Sequence, residues 1–129
     1  MGIRFSALSI DAVDPRAVAG FWSSALGWPV AVDTEEGIGL VPEEGAPLSD
    51  FGIVVLPVPP GERKQVKNRL HLDLRPSAGS TAEEELQRLV GLGATLVQVG
   101  QPDDAPWTVL ADPEGNEFCL LHRGDPADT

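Results

Sequence analysis

Residues 107–121 read WTVLADPEGNEFCLL, two apolar runs on either side of Asp112-Pro113-Glu114-Gly115-Asn116. Pro113 presets one turn dihedral and Gly115 accepts a positive one, while the Asp and Asn side chains can bond neighbouring backbone groups. An apolar run, a turn and a second apolar run predict a β-hairpin closing the chain. Side chains alternate along a strand, so Glu117, Cys119 and Leu121 should share one face of its second arm. Phe118 and Leu120 should pack behind.

Upstream of the hairpin the same logic gives an opening strand over 69–75, a helix and a strand over 94–99. Leu70, Leu72 and Leu74 supply the only apolar face of the opening strand, so they should rest on the helix. His71, Asp73 and Arg75 then face the other way. Ser80 or Thr81 caps the helix, with Glu83 or Glu84 three residues on completing a capping box. Leu86, Leu89 and Val90 form its buried stripe, and Gly93 ends it.

The N-terminal half has the same order. A strand over 3–10 places Leu8 and Ile10 on one face and Phe5, Ala7 and Ser9 on the other. Asp14-Pro15 starts a helix. Val18, Phe21, Trp22, Ala25 and Leu26 stripe it, and Gly27 stops it. Strands over 30–33, 38–41 and 51–56 follow. The chain is therefore β-α-β-β-β twice, an internal duplication of α+β class. One domain over 1–129 is expected: a first module over 3–57, a Pro/Gly-rich crossover at 57–68, a second module over 69–122 and a polar tail at 123–129.

The 129 residues carry nine basic and twenty acidic side chains, a net charge of −11. That balance argues against nucleic acid or an anionic membrane as partner, since both are polyanions. A single cysteine excludes an internal disulfide and leans towards a reducing compartment, so the cytoplasm is expected. No apolar run approaches membrane-spanning length.

The duplicated order, Asp14-Pro15, Phe21-Trp22, Leu26-Gly27-Trp28, Arg69-Leu70-His71-Leu72-Asp73-Leu74 and the DPEGN turn together resemble the glyoxalase-like branch of the vicinal-oxygen-chelate superfamily. That superfamily holds glyoxalases, bleomycin-resistance proteins and extradiol dioxygenases. The resemblance spans residues 3–122 and implies the glyoxalase/bleomycin resistance/dioxygenase fold: duplicated βαβββ modules forming curled sheets around a central cleft. Metal-dependent members place one ligand on the opening strand and one on the closing strand of each half, usually His, Gln or Glu. By motif the opening-strand positions here are Ala7 and His71, and the closing-strand position of the second half is Cys119. The first-half strand Phe51-Gly52-Ile53-Val54-Val55-Leu56 contains no ligand-capable side chain. His71 and Cys119 remain as residual metal candidates. Asp73 lies two residues along, roughly 7 Å away at the Cα. A catalytic divalent ion wants three or four protein ligands, so no metal cofactor is expected.

Taken together these readings imply a small-molecule-binding protein with a degenerate metal site, holding an organic ligand in the cleft between modules, as a homodimer. The expected cleft residues are Phe5, Ala7, Ser9, His71, Asp73, Arg75, Trp107, Glu117, Cys119 and Leu121. The alternative is a glyoxalase-like lyase or isomerase, either with altered metal ligands or with His71 as acid/base.

Overall fold

A computed structural model describes residues 2–123. The polar tail expected at 123–129 lies, beyond Arg123, outside the described residues. The chain divides into two compact units between Arg63 and Lys64.

The first unit runs β1 (Ala7–Ala12), α1 (Pro15–Leu26), β2 (Val30–Thr34), β3 (Gly37–Leu40) and β4 (Gly52–Pro57). Its sheet has the order β1-β4-β3-β2, with β1 parallel to β4 and the other pairs antiparallel. Asp14 caps α1 by accepting from the Ala17 N–H at 3.2 Å, and Gly27 closes it in a left-handed conformation. The stripe Val18, Phe21, Trp22 and Ala25 is buried, as are Ile38, Leu40, Ile53 and Val55 on the strands that α1 contacts. Burying these side chains from water is what holds helix and sheet together.

The opening strand starts at Ala7 rather than at residue 3, and Ile3 and Phe5 are exposed. Its partner sets that limit. Ala7 pairs with Gly52, the first residue of β4. Before it, Phe51 takes a positive φ of 68° and donates its N–H to the Ser6 carbonyl at 2.7 Å. The left-handed residue turns the backbone out of the ladder, so Ile3 and Phe5 have no strand to extend along. Within the same unit Leu48 comes down onto the sheet. A Cβ placed on Gly39 would lie 2.8 Å from a Leu48 methyl, and one on Gly52 would lie 2.6 Å from the Leu48 carbonyl oxygen.

The second unit runs β5 (Asp73–Leu74), α2 (Ala82–Leu92), β6 (Thr95–Leu96), β7 (Trp107–Ala111) and β8 (Glu117–Leu121). Its sheet order, β5-β8-β7-β6, repeats that of the first unit, again with the opening strand parallel to the closing one. Thr81 and Glu84 form the capping box of α2. In the hairpin turn the buried Asp112 carboxylate accepts from the N–H groups of Glu114 and Asn116 and from the Asn116 side chain, at 2.9–3.2 Å. Gly115 supplies the positive φ, 90°.

Three expectations for this unit need correction. The opening strand keeps only two residues, and Leu70 is 90% exposed instead of resting on α2. The last bond towards it is Cys119 N–H to the Leu72 carbonyl, 2.8 Å, and upstream of it the chain leaves the sheet. Val90 is exposed, so Leu89 alone of the expected stripe is fully buried on α2. The strand over 94–99 is cut to Thr95–Leu96, because the Gln98 and Gln101 side chains bond backbone groups of Val97, Val99 and Gly100 and fold the loop on itself. Both four-stranded sheets carry the opening strand at one edge, the duplicated βαβββ arrangement expected from the sequence.

Candidate functional site

The second unit holds a cavity of about 500 Å³, inside the range that encloses small organic ligands. Strand alternation builds its floor. Glu117, Cys119 and Leu121 of β8 line it, with Trp107 and Val109 of β7, while Phe118 and Leu120 are buried on the opposite face. His71 and Asp73 bound it on the β5 side, where Asp73 pairs with Cys119. Lys67, Asn68 and the loop from Val99 to Pro102 complete the wall.

Every lining residue belongs to the second unit. Phe5, Ala7 and Ser9 belong to the first unit and line none of this cavity, and Arg75 is not among its lining residues. Of the expected site residues the structure therefore brings together His71, Asp73, Trp107, Glu117, Cys119 and Leu121. Sequence reading missed the loop residues. Val109 follows from Trp107 by alternation, but Gln101 lines the cavity because its amide accepts from the Val99 N–H at 2.8 Å and donates to the Val97 carbonyl at 3.1 Å. No periodicity announces such a loop.

Three donors meet at one end. His71 Nδ1 lies 3.1 Å from Asp73 Oδ1 and 3.8 Å from Cys119 Sγ. The donor atoms of the three residues lie within 4.8 Å of one another. A two-residue step along the backbone separates the Cα atoms of His71 and Asp73 but leaves their side chains on one side, where they converge. Asp73 is therefore a third donor beside the two residual metal candidates. Burial pushes the Cys119 thiol above its ordinary pKa, and the nearby Asp73 carboxylate adds to the effect, with Lys67 opposing it. At neutral pH the group is a thiol and a poor nucleophile.

Glu117 is a structural carboxylate at the rim. Burial works to raise its pKa. The Asn68 N–H at 2.6 Å and the Lys64 ammonium at 2.6 Å outweigh that and hold it below the ordinary carboxylate value. Asn68 also donates its side-chain amide to the Glu117 carbonyl at 3.4 Å. Residues 64–68 are thus tied to β8, which brings Lys67 and Asn68 to the cavity wall. His122 is exposed and lies 2.7 Å from the Thr108 hydroxyl.

Solved structures share this fold. A fosfomycin resistance protein, FosX from Mesorhizobium loti, superposes with a TM-score of 0.67 at 13% identity, over 99% of this chain and 98% of its own. UcmS2 matches with a TM-score of 0.61 at 22% identity, over 95% and 100%. TnmS3, an antibiotic binding protein from Streptomyces sp. CB03234, matches with a TM-score of 0.57 at 19% identity, over 94% and 97%. No curated protein matches the sequence. The sequence profile described as Glyoxalase-like domain matches residues 7–121. The chain belongs to the glyoxalase-like domain family, and a solved glyoxalase/bleomycin resistance protein/dioxygenase family enzyme from Burkholderia phytofirmans PsJN shares its fold.

Proposed function

We propose that this protein binds a small organic molecule in the cavity of its second unit. The observation that carries the reading is the cavity's division into two ends. Val99, Pro102, Trp107, Val109 and Leu121 offer an apolar wall that can take a ring or alkyl face, and His71, Asp73, Lys67 and Asn68 offer polar groups that fix orientation. An antibiotic binding protein and fosfomycin resistance proteins among the structures of the same fold support this class of ligand. The test is a thermal-shift screen of antibiotics and metabolites. A specific ligand raises the melting temperature in proportion to the logarithm of its concentration above Kd, and the effect disappears in Trp107→Ala. A ligand stabilising wild type and Trp107→Ala equally would place binding elsewhere.

A second reading is a lyase or isomerase with His71 as acid/base. The 3.1 Å contact with Asp73 favours it, because a carboxylate at that distance orients an imidazole and fixes which ring nitrogen faces the cavity. Turnover that is lost in His71→Ala while ligand affinity is kept would choose this reading. Both readings take the protein as a cytoplasmic homodimer, supported by its single free cysteine and by the exposed apolar side chains Ile3, Phe5 and Phe51. Sedimentation at micromolar concentration tests the dimer.

A further inference from the structure

The superfamily's catalytic ion asks for ligands from the opening and closing strands of both halves, and this chain does not fit that requirement. Ala7 and every residue of β4 lack a donor side chain. The second unit instead gathers its own donor set, one nitrogen, one oxygen and one sulfur. We propose that His71, Asp73 and Cys119 form a site for a thiophilic divalent cation of the zinc class, selected against the hard cations magnesium and manganese.

Geometry carries the first half of the argument. Zinc bonds of roughly 2.0–2.3 Å at tetrahedral angles put neighbouring donor atoms about 3.3–3.6 Å apart. The His71 Nδ1–Asp73 Oδ1 separation of 3.1 Å and the His71 Nδ1–Cys119 Sγ separation of 3.8 Å lie within a few tenths of an ångström of those edges, and the third edge, within 4.8 Å, closes as the Asp73 side chain turns towards the ion. Asp73 is held beside Cys119 by the ladder itself, since the two are Cα partners in the β5–β8 register. The side chains of His71 and Asp73 are exposed and free to make the remaining adjustment.

Donor chemistry carries the second half. Sulfur and imidazole are borderline-to-soft ligands that favour zinc, cobalt and cadmium, whereas magnesium and manganese seek six oxygens. On binding, Cys119 releases its proton to solvent and coordinates as thiolate, His71 coordinates as the neutral ring, and Asp73 as carboxylate. The two ligand charges then balance the ion. The three residues also line the cavity, so the remaining coordination position faces it.

Cobalt(II) is the probe, titrated into the reduced full-length chain. The expected result is a thiolate-to-cobalt charge-transfer band in the near ultraviolet, saturating at one ion per chain. Zinc should bleach it stoichiometrically, and a thousandfold excess of magnesium should leave it intact. Cys119→Ser should lose the band, and His71→Ala and Asp73→Asn should each bind cobalt at least tenfold more weakly. Absence of the band in folded wild type, its persistence in Cys119→Ser or its displacement by magnesium would overturn the site. Should Cys119→Ser fail to fold, His71→Ala decides, because its side chain is exposed: unchanged cobalt affinity there also overturns the proposal. Organic-ligand binding is read separately by the thermal-shift screen, so either result can fail without the other.

Discussion

The two units use one strand order for opposite ends. In the first, Ser9 pairs with Val54 on the closing strand and Val54 pairs with Gly39; in the second, Asp73 pairs with Cys119 and Cys119 pairs with Val109. The matching faces therefore read Ala7, Ser9, Gly39, Gly52 and Val54 against His71, Asp73, Val109, Glu117 and Cys119. Small residues on the first face let Leu48 settle onto Gly39 and Gly52. The second face keeps its side chains, and a cavity stands over them. A duplicated sheet can thus give one half to its own loop and leave a cavity over the other, and the difference lies in two glycines as much as in the polar residues.

The largest expected effect tests the glycine side of that comparison. Gly52→Ala would place a Cβ 2.6 Å from the Leu48 carbonyl oxygen and 3.0 Å from that of Leu40, both backbone atoms that cannot swing aside. We expect a loss of about 3 kcal/mol in chemical denaturation, as for overpacking against rigid neighbours. A loss below about 1 kcal/mol would mean that the loop carrying Leu48 is not seated on the sheet. Leu48→Ala comes next, at about 2 kcal/mol for the lost apolar contact. It should also uncover the first face, which binding of a hydrophobic dye would report.

Much of this architecture was legible in the chain. The DPEGN turn, the caps Asp14 and Thr81 and the stops Gly27 and Gly93 are local chemistry, and local chemistry can be read from spacing. The face of β8 was legible too, because alternation leaves no choice once the turn is fixed. What was not legible depends on pairing partners. Residues 3–6 and 69–72 have strand-like composition, yet the ladders begin at Ala7 with Gly52 and at Asp73 with Cys119. The closeness of Asp73 to His71 was missed for a related reason. A Cα spacing says nothing about side chains that bend towards each other, and the 3.1 Å contact turned two candidate donors into three.

Two ion pairs of the molecule differ chiefly in their burial. In the second unit Lys64 and Glu117 meet at 2.6 Å with side chains 17% and 13% exposed, and Glu117 also accepts from the Asn68 N–H. Glu117→Gln should cost about 2 kcal/mol, since it leaves a poorly solvated ammonium without its partner. The pH dependence has a definite sign. Glu117 is held below the ordinary carboxylate value in the folded chain, so its contribution is complete above the unfolded value of about 4.3 and is lost as pH falls through the folded one. The gap between wild type and Glu117→Gln should therefore be full at pH 7 and shrink only below about pH 4. In the first unit Arg16 grips Asp33 through two 3.0 Å bonds, but the side chains are 75% and 43% exposed. Water and salt already screen that pair, so Asp33→Asn should change stability by no more than about 0.5 kcal/mol, and less at high ionic strength. Equal losses from the two substitutions would contradict this account: burial, and not bond length or bond count, is what separates the pair that ties residues 64–68 to the cavity from the pair that merely decorates a strand.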